Sequence, residues 1–411
     1  MAFETLRCGL LGRTLGHSYS PAIHKELAGY SYRLFEVEPE QLGSFLTSGA
    51  FDGLNVTIPY KKDVIPYCAG LSETARAIGA VNTIVRRPDG TLWGDNTDAY
   101  GFSMLVQACG ADVTGKKALV FGSGGASLTA QYVLKTLGAR DIVVISRHGA
   151  DNYENLDRHA DAQIAVNTTP VGMFPNTGVS PVSLARFPEL QAALDVVYNP
   201  ARTEFLLQAE RLGIPCANGL LMLTAQAKKS CEDFTGQPVP DSRITGITAS
   251  LAARMQNIVI IGMPGSGKTT IGTMLARQLG REFVDADQVL EAQVGMPIPE
   301  IFRREGETGF RARETAVLAG LGRQSGLVIA TGGGCVTRAE NYPLLHQNGV
   351  IVCLHRALEK LPVSGRPVSQ ALGPEAIYAQ RKPLYEKFAD HMISNDGAPE
   401  DTVRALREVV L

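Results

Sequence analysis

NIVIIGMPGSGKTTIGTMLARQLG, residues 257–280, decides how the C-terminal part of this chain folds. The β-branched run at 258–261 reads as a strand buried on both faces of a parallel sheet. It leads into Gly262-Met263-Pro264-Gly265-Ser266-Gly267-Lys268-Thr269-Thr270, and TIGTMLARQLG (270–280) then has helical spacing. Strand, GxxxxGK[ST] loop and helix, in that order, form a phosphate-binding loop: backbone N–H groups wrap phosphates, a lysine reaches the β and γ positions, and a Thr hydroxyl ligates Mg²⁺. Lys268 and Thr269 hold those two places, and Gly265, Ser266, Gly267 and Thr270 complete the cradle.

A second unit of the same kind lies upstream. KALVFGSGGASLTAQYVLKTLG (117–138) runs from an apolar strand through Gly122-Ser123-Gly124-Gly125-Ala126-Ser127 into a helix. Its glycines let the backbone approach a pyrophosphate at a helix N-terminus, although the pattern is GxGGAS and not GxGxxG. The following strand, DIVVIS (141–146), ends in Ser146-Arg147. An NAD site usually has an acid there, whereas a basic group meets the 2′-phosphate of NADP, so Arg147 favours NADP(H). Each unit must open its own sheet. The chain is therefore α/β throughout, with LVIATG (327–332) and VIVCL (350–354) as further buried strands and 300–322 as a long helix. FTGQPVPDSRITG (234–246) reads as a boundary, with helix-like TASLAARMQ (248–256) finishing the linker.

At 411 residues the chain has room for two or three domains. Hydrophobic residues are 45%, charged residues 19% and the formal net charge is −2, which excludes a disordered chain and gives no basic excess for nucleic acid or an anionic membrane. No apolar run approaches a membrane span. The N-terminus lacks the signal-peptide pattern, and seven irregularly spaced cysteines imply neither disulfides nor a structural zinc site. A cytoplasmic protein is expected, acting on small molecules. Its oligomeric state is not legible.

In the first hundred residues four polar clusters interrupt apolar segments: GHSYSPAIH (16–24), NVTIPYKK (55–62), GAVNTI (79–84) and GDNTDAYGF (94–102). Polar groups in strand-like runs are costly to bury unless paired. Asp98 falls in the first turn of a helix over 97–109, where the dipole favours its ionised form. Lys61 follows a strand and a proline; beside such a carboxylate a lysine can pass a proton to a forming alkoxide. From spacing alone these residues are structural or catalytic.

These four clusters, in order and ahead of the GxGGAS loop, resemble shikimate dehydrogenase. The resemblance continues through NTTPVGM (167–173), DVVYNP (195–200) and NGLLMLTAQAKKS (218–230), covering about residues 5–236. It implies that Ser18, Ser20, Thr57, Asn82 and Gln226 hold the substrate's carboxylate and hydroxyls, that Lys61 and Asp98 are the catalytic pair, that Tyr198 lines the substrate side and Gly219 the nicotinamide side, and that Glu73 is a weaker cofactor-side position. Two departures stand out. Ser146-Arg147-His148 replaces the family's Asn-Arg-Thr, and only residues 148–166 separate Arg147 from Asn167, so one helix or strand of the dinucleotide domain is expected to be trimmed.

Residues 257–411 resemble shikimate kinase, on the phosphate loop together with Asp285-Ala-Asp287, Phe310-Arg311-Ala-Arg313-Glu314, Gly332-Gly333-Gly334, Gly365-Arg366-Pro367 and Arg381-Lys-Pro-Leu-Tyr385. The resemblance implies that Asp287 binds the phosphorylated hydroxyl and is the base, that Asp285 helps hold Mg²⁺, and that Arg311 and Arg381 clamp the substrate carboxylate. Gly333 and Gly334 would offer N–H groups, and Arg366 would ride a short lid (358–373) over the ATP phosphates.

The implied organisation is a discontinuous substrate domain (1–101 with 222–243), a Rossmann-like domain (102–221), a linker (244–256) and a P-loop kinase domain (257–411). The implied activities are NADPH-dependent reduction of 3-dehydroshikimate to shikimate and ATP·Mg-dependent phosphorylation of shikimate. Two alternatives remain: a quinate-preferring, NAD-dependent first half, or one half serving as a non-catalytic module.

Overall fold

The structure, a computed structural model, describes residues 3–16, 18–361 and 373–410. Arg366 and most of the expected lid lie outside the described residues. Chain contacts divide the protein into two compact units. The first holds residues up to 173, 179–198 and 203–250; the second holds 174–178, 199–202 and the chain from 251 onward. The first unit contains two sheets and the second one.

The first sheet is built from β1 (Arg7–Gly12), β2 (Ser31–Glu36), β3 (Gly53–Val56), β4 (Gly70–Leu71), β5 (Thr83–Arg86) and β6 (Leu92–Asp95), in the order β2-β1-β3-β5-β6-β4. It is mixed: β5 runs antiparallel to β3 and β6, while β1 pairs in parallel with β2 and β3. Parallel pairing of β1 with β3 sets Leu11 opposite Val56. The chain therefore leaves both strands at one edge, towards Ser18 and Ser20 from β1 and towards Thr57 and Lys61 from β3. Clefts beyond the carboxyl ends of parallel strands are where open α/β sheets bind ligands.

The second sheet comprises β7 (Lys117–Phe121), β8 (Asp141–Ile145), β9 (Ile164–Asn167), β10 (Ala192–Asp195) and β11 (Cys216–Ala217), all parallel, in the order β11-β10-β9-β7-β8. Side chains alternate across it. Ala118 and Val120 join a core with Phe102, Leu105, Val133 and Leu134, while Leu119 and Phe121 join a separate core with Ile145, Phe205 and Leu206. Burial on both faces explains the unbroken apolar run. Between β8 and β9 the only helical element among the described residues is the 3-10 turn Leu156–His159, and β8 is the edge strand. This accounts for the short spacing between Arg147 and Asn167: the crossover from β8 to β9 is made by a turn and not by an α-helix.

The third sheet comprises β12 (Asn257–Gly262), β13 (Phe283–Asp285), β14 (Val328–Ala330), β15 (Gly349–His355) and β16 (His391–Ser394), again parallel, in the order β13-β14-β12-β15-β16. Ile258 and Ile260 face one core, Val259 and Ile261 the other. The expected long helix spans Ile298–Gly322 but is broken at Gly306, whose φ of 69° and ψ of −175° are non-helical. Glycine adopts that conformation without a Cβ penalty. Arg313 donates to both carboxylate oxygens of Glu305, at 2.7 and 2.8 Å, across the break. The segment expected to finish the linker is part of a longer helix, Ser242–Met255. No helix of the described residues is long and apolar enough to cross a membrane.

Candidate active sites

Lys61 and Asp98 meet. The Lys61 ammonium donates to Asp98 Oδ2 at 2.5 Å, and both side chains are mostly shielded from solvent. Asp98 is the first residue of the helix Asp98–Cys109, so its charge sits at the positive end of the helix dipole. Lys61 is fixed by its backbone: its carbonyl accepts from Val81 N–H at 2.7 Å, and neighbouring Tyr60 is buried. Asn82 brackets the pair. Its side-chain carbonyl accepts from Thr97 N–H at 2.7 Å, and its amide donates to Thr97 Oγ1 at 3.1 Å, locking the residue before Asp98.

Behind Asn82 lies a polar cluster that sequence reasoning missed. Asn55 donates to Ser230 Oγ (2.7 Å) and Thr83 Oγ1 (3.3 Å), the Ser230 hydroxyl lies 2.9 Å from those of Thr83 and Thr97, and Tyr32 donates to Asn55 Oδ1. Such a network, when satisfied, holds one arrangement of its members. Ser20 N–H donates to Ser18 Oγ at 3.2 Å at the start of the helix Ser20–Leu27. Thr57 N–H donates to Leu11 carbonyl, tying the end of β3 to β1. Gln226 is buried in the helix Leu220–Thr235 and donates to Leu223 carbonyl. Tyr198 meets Tyr19 edge-to-face at 6.1 Å, joining DVVYNP to the serine cluster.

The dinucleotide loop faces this pair. A Cβ placed on Gly125 would stand 3.7 Å from Lys61 Cδ. The helix Gly125–Thr136 begins at Gly124 with no side-chain cap, leaving its first N–H groups free for an anion. Gly122 has a φ of 106°, and a Cβ there would lie 2.9 Å from Thr168 Oγ1, so the turn accepts only glycine without rearrangement. Ser123 and Gly124 are exposed, Ala126 is half-buried. Arg147 is exposed just past β8 beside half-buried Ser146. Gly219 lets the start of the helix Leu220–Thr235 close on Val196, whose carbonyl would be 2.0 Å from an added Cβ. Glu73 opens the helix Glu73–Ile78 and is exposed; nothing in its contacts gives it a role. These features fit a dinucleotide: an uncapped helix terminus, a glycine turn and a basic residue past the second strand.

In the second unit an open cleft of about 370 Å³ is lined by Gly265, Gly267, Lys268, Thr269, Thr270, Asp285, Asp287, Thr331 and Arg356. The helix Lys268–Leu279 starts at Gly267 without a side-chain cap. Gly267 has a φ of 96°, and its Cβ would collide with Asn395 Nδ2, which itself donates to Ser266 carbonyl at 2.7 Å. Lys268 Nζ lies 3.0 Å from the carbonyls of Gly262 and Met263. Thr269 donates to Asp285 Oδ2 at 2.8 Å, so the two groups expected to hold Mg²⁺, the hydroxyl directly and the carboxylate through water, are adjacent. No group of three or more His, Cys, Asp or Glu able to hold a metal occurs among the described residues.

Asp287 N–H donates to Asp285 Oδ1 at 3.1 Å. Burial, reinforced by the charges of Glu314 and Asp285, pushes the Asp287 carboxyl up to about 6. Arg311 is buried and donates to Glu314 Oε2 at 2.7 Å and more weakly to Glu307. Burial raises Glu314 as well, against the pull of Arg311, and its Oε1 has no hydrogen-bond partner among the described residues. Arg381 donates to Gly333 carbonyl at 3.1 Å, as does the Tyr385 hydroxyl. A Cβ on Gly334 would stand 2.1 Å from Arg311 Nη2. The structure thus gathers Asp287, Arg311, Gly333, Gly334 and Arg381, and it adds Glu314 and Arg356.

The shikimate dehydrogenase substrate-binding domain profile matches residues 10–84, and the shikimate kinase profile matches residues 264–410. A shikimate dehydrogenase (NADP(+)) of Clostridium perfringens (strain SM101 / Type A) is 36% identical over 267 residues, covering 60% of this chain and 98% of that protein. Among solved structures, a chorismate mutase/shikimate 5-dehydrogenase fusion protein from Clostridium acetobutylicum is 35% identical with a TM-score of 0.57, covering 59% of this chain and 96% of its own. Shikimate 5-dehydrogenase from Thermus thermophilus, in complex with NADP(H) and shikimate, is 32% identical with a TM-score of 0.55, covering 60% of this chain and 99% of its own. The chain belongs to the shikimate dehydrogenase family and carries a shikimate kinase domain at its C-terminal end.

Proposed function

We infer that this protein is a bifunctional enzyme. Its N-terminal unit reduces 3-dehydroshikimate to shikimate with NADPH, and its C-terminal unit phosphorylates shikimate with ATP·Mg. The observation that carries the reading is that each unit holds its own set of groups: Lys61–Asp98 against Gly125 in one, Lys268, Thr269, Asp285 and Asp287 around one cleft in the other.

In the first unit NADPH supplies the hydride. Lys61 Nζ gives its proton to the ketone oxygen as negative charge develops there, and Asp98 keeps the ammonium oriented. Ser18, Ser20, Thr57, Asn82 and Gln226 hold carboxylate and hydroxyls, Tyr198 closes the substrate side, and Gly219 gives the nicotinamide room. In the second unit Arg311 and Arg381 clamp the substrate carboxylate, a two-point task suited to planar guanidinium groups. Asp287 accepts the hydroxyl proton, Glu314 Oε1 offers a further buried acceptor, and Asp285 with Thr269 holds Mg²⁺. Lys268 neutralises phosphate charge.

Arg147 supports NADPH over NADH. Arg147→Ala should weaken NADP(H) at least tenfold and leave NAD(H) nearly unchanged; steady-state kinetics with both cofactors checks this. Equal losses would assign Arg147 a role common to both. Neither nucleic acid nor membrane enters the reading. The use of NADPH and ATP, both made and spent in the cytoplasm, supports a cytoplasmic location.

A further inference from the structure

Arg356 lies one residue beyond β15, the strand that pairs with β12 on the side opposite β14. The phosphate loop leaves β12, so Arg356 reaches the loop from a strand that supplies none of the groups assigned above. It lines the same cleft as Gly265, Lys268, Thr269 and Asp285. Its only hydrogen bond among the described residues is long: Nη1 to Gly265 carbonyl, 3.5 Å. Its Nε is buried and has no partner among the described residues. A guanidinium carries five donors and no acceptor. A buried donor without an acceptor is costly, and such a group in a native fold calls for an explanation.

The acidic residues lining the cleft do not satisfy it. Asp285 is engaged by Thr269 Oγ1 and Asp287 N–H. Asp287 is flanked by Glu314 and by Asp285 itself. Beside Gly265 a phosphate-binding loop holds its anion. Phosphate oxygens would give Arg356 planar, charge-assisted contacts of a kind that lysine cannot make.

We propose that Arg356 is a second phosphate-binding cation of the kinase site, gripping the phosphate chain of the nucleotide alongside Lys268. This rests on the kinase reading above and goes beyond it, because the shikimate kinase resemblance assigned the nucleotide's positive charge to Lys268 and Arg366 only. Arg356 is carried by the sheet, so its guanidinium is in place before nucleotide arrives. Preorganised donors lose little on binding. The interaction is a direct contact and contributes to nucleotide affinity.

The test uses the full-length protein and two probes, Mg·ADP and the non-hydrolysable Mg·AMPPNP, with binding measured by calorimetry. Arg356→Gln should weaken both on the order of tenfold or more, consistent with loss of a charge-assisted contact. It should leave the unfolding temperature, shikimate affinity and NADPH oxidation as in wild type. Arg356→Lys should recover part of the loss, since the charge returns without the planar fork. Unchanged nucleotide affinity in Arg356→Gln overturns the proposal. So does a loss that comes with a lowered unfolding temperature and no rescue by lysine, which would make Arg356 a brace of the loop through Gly265. Failure of the kinase reading itself would look different: the wild-type protein would bind neither probe.

Discussion

Lys61 carries the proposed proton transfer. Its ammonium is held by a carboxylate at a helix N-terminus and stands against the glycine loop. Lys61→Ala should lower the dehydrogenase turnover roughly 10²–10⁴-fold, the usual contribution of a positioned proton donor, with substrate KM changed much less. Rapid mixing of the variant with 3-dehydroshikimate and NADPH measures this; near-normal turnover removes Lys61 from the chemistry. Gly334 illustrates the converse, a residue that acts by having no side chain. Gly334→Ala must push the Arg311 guanidinium aside, although Glu314 holds that guanidinium through Nη1. We expect shikimate KM to rise at least tenfold and nucleotide affinity to stay within about twofold. A KM within twofold of wild type would mean that Arg311 moves freely without loss.

At the level of elements, the strands and glycine loops were legible because their signal is local: a buried parallel strand is apolar on both faces and is followed at once by its loop. Lys61 and Asp98 were legible only through resemblance, since nothing in their spacing predicts a 2.5 Å contact. The cluster behind Asn82 was not legible. Asn55 and Ser230 lie 175 positions apart and meet only because the helix Leu220–Thr235 packs against β5 and the helix Asp98–Cys109. Glu314 was hidden for another reason: an Arg–Glu pair three apart on a helix reads as a solvated face, and only burial against the glycine turn changes its meaning. The break at Gly306 escaped because glycine inside a helical pattern is usually tolerated.

Asp195, at the end of β10, adds a pH dependence at this level. It accepts from Asn167 amide (3.0 Å), Val197 N–H (2.9 Å) and the Thr203 hydroxyl (2.6 Å), yet burial outweighs these and pushes its carboxyl up to about 6. A carboxyl raised in the fold favours the protonated native state. Its stabilising contribution is full below the unfolded value near 4 and is lost as pH rises through about 6, a change of about 3 kcal/mol. Asp195→Asn should therefore gain stability relative to wild type on going from pH 4.5 to 7. Trp93, the single tryptophan, lies on β6 and reports unfolding of the same unit. Parallel stability curves for the two proteins would show that Asp195 is already charged in the fold at pH 4.5.

The whole chain joins two catalytic units whose reactions share one metabolite: shikimate is the product of the first and the substrate of the second. Each unit has its own buried cores and its own set of proposed reacting groups, so damage to one site should leave the other at work. The decisive measurement gives the full-length protein 3-dehydroshikimate, NADPH, ATP and Mg²⁺, and follows NADPH oxidation and shikimate 3-phosphate together in wild type, Lys61→Ala and Lys268→Met. The account predicts that wild type makes the phosphate ester from 3-dehydroshikimate. Lys61→Ala should make almost none until shikimate is added and should then match wild type, while Lys268→Met should oxidise NADPH normally and accumulate shikimate. A wild-type protein that stops at shikimate, or a single substitution that silences both reactions, would contradict it.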